Sequence, residues 1–330
     1  MEFLQPARKI GKKYQNPVPS NVATDSNMLQ VLWKYMTNKA ETVPKKQLGP
    51  FSTDVSVYAT APASGLRVTW IGHSSLLIEV DGLRLLTDPV WSERASFLSF
   101  MGPKRFFSAP LALNNLPPLD AIIISHDHYD HLDKEVIKQL AAFRVPVYCS
   151  LGVGHYLEKW GIQKSRITEM NWMDTVSITG NCQLTALPAR HFSGRGLFNR
   201  FETLWSSFVI KSAAHNIYFG ADSGWFDGFY DIGKAYGPFD LTMLEIGAYN
   251  QAWADIHMGP ENAAKAHLAL KGKLLMPIHW GTFNLSLHAW NEPVERILKY
   301  AAEMNIKLFL PQPGEPTDVT GEGYVSYWWK

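Results

Sequence analysis

The clearest periodic signal starts near Val68, where "RVTWIGHSSLLIEVDGLRLLTDP" breaks into three short β-rich runs. An Asp81-Gly82 turn signal joins the last two, which predicts a β-meander. Strand-length and helix-length patterns then alternate: "LDAIIISH" as strand, "DKEVIKQLAAF" as helix, "VPVYCS" as strand, "GVGHYLEKWG" as helix. Later strand runs are "QLTALPARH", "SSFVIKS", "NIYFGADS", "LTMLEIGAY" and "KLLMPIHWG", with helical patterns in "PENAAKAHLALKG" and "PVERILKYAAEM". No linker or low-complexity stretch divides them, so residues 65–330 are expected to form one layered α/β domain with mixed sheets flanked by helices. Residues 1–64 are proline-rich and weakly periodic, apart from a short helix expected in "NMLQVLWKYMT". They read as an N-terminal extension packing on the core.

Composition narrows the classes. With 330 residues, 46% of them hydrophobic, the chain can bury a large core. Its 31 basic and 30 acidic side chains leave a net charge of +1, without the positive excess of a protein held mainly by nucleic-acid phosphates. The first twenty residues hold no apolar run long enough for a signal peptide or a membrane span, so a cytoplasmic location is expected. Cys149 and Cys182 lie far apart without C-x-x-C spacing, which excludes a thiolate cluster and suits two buried thiols. Aromatic side chains crowd the stretch from Val90 to Phe107, as core, as interface, or as walls of an apolar pocket.

Directly behind one apolar run stands "SHDHYDHLD", Ser125 to Asp133. Titratable groups packed this tightly need open solvent or a bound cation to sit against. In an extended segment leaving a strand, side chains two apart face the same way, so His126 and His128 can converge while Asp127 turns aside. Asp130 and His131 follow as the chain enters the helix expected near Lys134, and can address a second point. His191, Asp222 and His279 each stand just past an apolar run that reads as a strand. Loops at strand ends along one sheet edge can meet, which gathers five histidines and two aspartates, enough for two divalent ions sharing a bridging carboxylate. Nitrogen and oxygen donors suit zinc, iron or manganese. His155, His215 and His288 read as surface histidines.

The string "SHDHYDH" resembles the metal-binding signature of the metallo-β-lactamase superfamily, and the resemblance runs from about Val68 to Leu310. It implies an αββα sandwich with a dinuclear site at one edge. More narrowly, "WIGHSS", "TDPVWSERAS", "MGPKRF", "GADSG", "GPFDLTMLEIGAY" and "PIHWGTF" are similar to the branch containing N-acyl phosphatidylethanolamine phospholipase D and its bacterial relatives. The resemblance implies that His126, His128 and His191 bind a first ion, that Asp130, His131 and His279 bind a second, and that Asp222 bridges them. His128 stands where flavodiiron oxygen reductases place Glu, and His131 where zinc β-lactamases lack a histidine, so both branches are disfavoured. Asp88 resembles the superfamily aspartate that supports the metal loop from behind, and His73 is expected to play a similar supporting part.

A water bridging two cations loses much of its proton affinity, so hydroxide becomes available at neutral pH. The expected function is a metal-dependent phosphodiester hydrolase of the phospholipase D type, in lipid metabolism. Its cofactors would be two divalent ions, zinc foremost, with Asp222 and Asp130 among the catalytic groups. The leaving alkoxide needs a proton, for which "DIHMGPENAAKAH" offers His257 before the helix and His267 within it; the resemblance favours His267. Lys104 and Arg105, set between aromatics in "FMGPKRFF", suit a phosphate beside an acyl chain or plain surface charge. The alternative is a lactonase or carboxylic ester hydrolase, and more distantly an iron-dependent dioxygenase. The expected partner is a small-molecule or phospholipid substrate, with no nucleic acid. The aromatic N-terminal region suits a homo-oligomer contact or shallow docking at the periphery of a membrane.

Overall fold

After a hairpin of β1 (Lys9–Ile10) and β2 (Lys13–Tyr14), the meander forms as β3 (Leu66–Gly72), β4 (Ser75–Val80) and β5 (Leu83–Thr87), all antiparallel. The computed structural model describes every residue except 23–36, 38, 99 and 197, so the helix expected in "NMLQVLWKYMT" falls almost wholly outside the described residues. β6 (Ala121–Ile124), β7 (Val147–Ser150) and β8 (Ile167–Met170) continue the sheet in parallel. Their crossovers contain α1 (Lys134–Leu140) and α2 (Gly154–Lys159). Asp133 starts α1 by accepting hydrogen bonds from the amides of Glu135 and Val136, satisfying donors that a helix start leaves open.

The second sheet runs in chain order through β9 (Thr175–Thr179), β10 (Cys182–Leu187), β11 (Ser207–Lys211), β12 (Asn216–Phe219), β13 (Leu241–Glu245) and β14 (Leu275–Ile278). Its two parallel joints, β12 to β13 and β13 to β14, are bridged by α3 (Gly228–Ala235) and α4 (Gly259–Ala269). The chain closes with α5 (Glu292–Met304), the parallel pair β15 (Phe309–Leu310) and β17 (Tyr324–Val325), and β16 (Pro316–Asp318), which returns to the edge of the first sheet beside β3.

β6 shows how alternation becomes layers. Ala121 and Ile123 join the core between the sheets, together with Leu184, Phe208 and Met243 of the second sheet. Ile122 and Ile124 point the other way, onto Val136, Ile137 and Leu140 of α1. On the far side, Phe229, Ile232, Ala263 and Ile297 bring α3, α4 and α5 against the second sheet. The result is an αββα sandwich, the fold class the sequence suggested. At the β4–β5 turn the Asp81 carboxylate accepts from Ser212 Oγ, the Ala214 amide and His215 Nδ1, tying the meander to the β11–β12 turn. His215 is therefore a structural partner of Asp81.

The helix α3 was not apparent from the sequence, because glycines, poor helix formers, occupy two of its eight positions. Gly233 is there for space: a Cβ on it would lie 2.0 Å from the Ala269 carbonyl of α4. Alanine is ordinarily worth about 1 kcal/mol more than glycine inside a helix, but here overpacking wins. Gly233→Ala is expected to destabilise the protein by about 1–3 kcal/mol, read as a lower Tm in thermal unfolding; a raised Tm would contradict this packing.

Candidate metal centre

Every element that carries a predicted ligand ends at the same rim. The loop after β6 delivers His126, His128, Asp130 and His131; the segments after β10, β12 and β14 deliver His191, Asp222 and His279. Their donor atoms form two compact groups, His126 with His128, His191 and Asp222, and Asp130 with His131, His279 and His73. All seven predicted ligands are thus brought together, and Asp222 lies between the groups. Its Oδ1 is 3.2 Å from His131 Nε2, while its Oδ2 is 3.1 Å from His279 Nε2 and 3.6 Å from His191 Nε2.

Hydrogen bonds behind the ring fix which nitrogens face inward. Ser125 Oγ donates to Asp88 Oδ2, so it receives the Nδ1 proton of His126 at 2.8 Å. His131 Nδ1 donates to the same Asp88 oxygen at 2.7 Å, and His191 Nδ1 to the carbonyl of Ile256 at 2.9 Å. With those protons placed, the Nε2 lone pairs of all three rings point into the site. His126 Nε2 then lies 2.9 Å from His128 Nδ1, and His191 Nε2 lies 3.2 Å from it. Nitrogens about 2.0–2.1 Å from a tetrahedral zinc stand about 3.3 Å apart, so this spacing fits a shared cation.

Two further observations support the fit. Buried Asp222 Oδ1, His131 Nε2 and His279 Nε2 have no hydrogen-bond partner, although such atoms normally find one. Burial, and then the neighbouring imidazoles, hold His126 well below the ordinary histidine range. Burial alone would raise the Asp222 carboxyl, but His131 and His279 hold it far below its usual range. For His279, burial would lower the pKa, yet Asp222 and Asp130 push it up to about 10. The carboxylates demand positive charge, and a divalent cation supplies it in place of protons.

Sequence reasoning missed Glu245, at the end of β13. It is fully buried; its Oε1 accepts from the amides of Ser223 and Met258, and its Oε2 is 2.6 Å from His257 Nδ1. Burial raises its carboxyl, against the opposing pull of His257. The signal was available as a lone acid closing an apolar strand, "LTMLE", at the same rim. Asp88 and His73 also stand in the wall: His73 Nε2 is 2.9 Å from Asp130 Oδ2, and its carbonyl accepts from the His279 amide. His73, Asp88 and His279 all have positive φ, a left-handed strain that concentrates where the rim is built.

Of the two expected proton donors, the structure brings only His257 to the site. It lines a cavity of about 820 Å³ that opens onto His128, Asp130, Asp222 and His279. His267 is buried on α4 with Nδ1 2.7 Å from Thr242 Oγ1 and is not part of the cavity wall. It lies in the last turn of α4, about two turns beyond the helix start that follows His257, and is buried there. Arg105 is buried and donates to the carbonyls of Phe107, Val90 and Ile71, while Lys104 pairs with Glu93 at the surface. Both therefore serve the loop they belong to. Cys149 and Cys182 are free and buried.

The family profile described as "Beta-lactamase superfamily domain" matches residues 83–280. An uncharacterized protein of Mycobacterium tuberculosis is 43% identical over 304 residues, spanning 91% of this chain and 80% of its own length. An N-acyl-phosphatidylethanolamine-hydrolyzing phospholipase D 1 of Caenorhabditis elegans is 33% identical over 299 residues, 86% of this chain and 84% of that one. Among solved structures, the metallo hydrolase Igni18 of the archaeon Ignicoccus hospitalis shares the fold with a TM-score of 0.59, at 22% identity over 76% of this chain and 97% of its own.

Changing a group that holds a metal ligand from behind costs about 10–100-fold in metal affinity, and removing a side chain that would hold the ion itself should cost more. Asp222→Asn and His128→Ala are each expected to lower divalent-metal affinity by more than about 100-fold, measured by elemental analysis and metal titration of purified protein. Full metal occupancy in Asp222→Asn would show that Asp222 does not hold the cation.

Proposed function

This chain belongs to the metallo-β-lactamase superfamily as a metal-dependent hydrolase, and we propose that it cleaves phosphodiesters bearing an apolar, lipid-like group, in the manner of a phospholipase D. The observation that carries the substrate class is the cavity over the site. Its walls are largely apolar, with Phe97, Phe192, Trp253 and Leu285 among them, and Arg195 and Arg200 also line it. An amphiphilic anion matches that lining: cationic groups attract the phosphate, and aromatic walls hold the apolar part. The kinship with the nematode phospholipase D supports the same reading.

His126, His128, His191 and Asp222 would hold one divalent ion and Asp130, His131 and His279 the other, with Asp222 within 3.2 Å of His131 and 3.1 Å of His279 and so able to serve both; zinc is the best match to these donors, and iron or manganese is accepted by the same set. Bound ions supply Lewis acidity toward a phosphoryl oxygen and toward water. The protein's part is to fix the donors and to move the proton. Glu245 holds His257 by Nδ1, which leaves His257 Nε2 as the ring nitrogen able to protonate a leaving alkoxide. Phe97 of the cavity wall is exposed, and so are Phe100 and Met101 close to it in the chain and Phe198, the last 90% exposed. In this reading they dip into a lipid surface while the cavity receives the headgroup. Among the described residues no helix is long and apolar enough to cross a membrane.

Metal-loaded protein is expected to hydrolyse at least one of N-acyl phosphatidylethanolamine, a glycerophosphodiester and bis-p-nitrophenyl phosphate, assayed beside a lactone panel. Activity on lactones alone would replace the phosphodiester reading with the carboxylic ester one. His257→Ala should lower kcat by about 10²–10⁴-fold with metal content intact, whereas His267→Ala should leave the pH profile of kcat unchanged. Equal kcat in wild type and His257→Ala would remove His257 as proton donor.

A further inference from the structure

β10 stops at Leu187, and the next segment reaches the rim without a neighbouring strand to pair it. Its backbone groups must still find partners. At His191 both are supplied by one side chain from the N-terminal segment: the His191 amide donates to Asn16 Oδ1 at 2.9 Å, and Asn16 Nδ2 donates to the His191 carbonyl at 2.8 Å. A carboxamide offers one acceptor and a donor in a plane, so it reproduces what a paired strand would give. The residue before His191 is fastened to the same segment. Arg190 Nε donates to Ser20 Oγ and its Nη2 to the Pro19 carbonyl, and Nη2 also meets Asp255 at 2.9 Å. Asp255 in turn accepts from the Asn21 amide, and Tyr14 donates its amide to the Phe201 carbonyl. A strap of residues 14–21 therefore crosses the back of this one ligand.

We propose that Asn16 is a positioning residue for the metal centre, and that the N-terminal strap sets the orientation of His191 and with it the affinity of the first-ion group. This rests on the metal reading given above. Asn16 touches neither substrate nor ion; it acts through the His191 backbone, whose ring is fixed at its other end by the Ile256 carbonyl. With one end released, the ring loses the setting that aims Nε2 at His126, His128 and Asp222. Among the described residues no hydrogen bond or ion pair joins residues 14–21 to Asp130, His131 or His279, so the second group is expected to keep its geometry.

The test compares wild type, Asn16→Ala and Asn16→Asp by Zn²⁺ titration, by hydrogen exchange at the His191 amide in metal-free protein, and by thermal unfolding of metal-free protein. Asn16→Ala is expected to speed exchange at His191 by about two- to tenfold and to weaken one Zn²⁺ equivalent by about 10–100-fold, leaving the other equivalent unchanged. Asn16→Asp keeps the acceptor for the His191 amide but not the donor to its carbonyl, so it should fall between. A purely structural role would lower the Tm and weaken both equivalents alike, which overturns the proposal, as does unchanged Zn²⁺ affinity beside faster exchange. If Asn16→Ala does not fold, Asn16→Asp is read by the same criteria. Failure of wild type to bind Zn²⁺ would instead sink the metal reading, and the exchange comparison alone would decide whether Asn16 holds His191.

Discussion

The rest of the structure is arranged around a concentration of lone pairs and negative charge that is largely buried and meets solvent only on its cavity side. Three imidazole nitrogens face one another at 2.9–3.2 Å, and two aspartates stand among them, both held far below the usual carboxylate range despite a burial that would raise them. Protons cannot settle this arrangement evenly. Without a cation, His126 and His191 are pushed toward the neutral form while His131 and His279 are pushed toward the charged one, in which their Nε2 lone pairs are lost to protons. A cation near Asp222 relieves both demands together, because it accepts the neutral lone pairs and balances the carboxylates.

Holding such a cluster costs free energy that the sandwich supplies through paired anchors. Behind the first sheet, Asp88 takes the amide and hydroxyl of Ser125 and the Nδ1 proton of His131. Behind the second, Glu245 takes two amides and His257. Each sheet thus contributes one fully buried carboxylate at the end of a strand, one fixing the loop after β6 and the other the loops after β12 and β13. Because each carboxylate takes three donors, the groups in front of them have few alternative positions. Opening either anchor would leave a buried charge without partners, which is far more costly than the bond itself.

Much of this was legible in the sequence because strand ends announce themselves. An apolar run followed at once by His or Asp was enough to mark His126, His191, Asp222 and His279, and the period of two separated His128 from Asp127, whose carboxylate indeed turns away to the Gly194 amide. The layers followed from runs such as "AIII", buried on both faces. Other features were hidden for physical reasons. His257 and His267 are ten positions apart on similar-looking sequence, and only the direction of α4 in space separates a cavity wall from the core. Glu245 looked like part of a strand because it is one; its role depends on partners far away in the chain. α3 carries two glycines, poor helix formers, of which Gly233 is demanded by close packing against α4, so its helix propensity was lowered by the tertiary contact it makes.

The same rim separates chemistry from recognition. The ligands and their anchors sit at the ends of strands, held by ladders and by buried carboxylates, where a shift of a few tenths of an ångström would be resisted. The cavity walls come instead from loops: Phe97 from the long connection after β5, Phe192, Arg195 and Arg200 from the connection after β10, Trp253 and Ile256 from that after β13, and Leu285 from that after β14. Arg195 is the exception that joins the two. It donates to the carbonyls of Asp127 and Leu132 in the metal loop while its guanidinium lies over the ring of Tyr129 at 4.0 Å. A recognition loop that also clamps the metal loop cannot drift freely, so changes of substrate are expected to enter through the walls that lack such a clamp, around Phe97, Trp253 and Leu285, while the loop bearing Arg195 stays bound to the geometry of the centre.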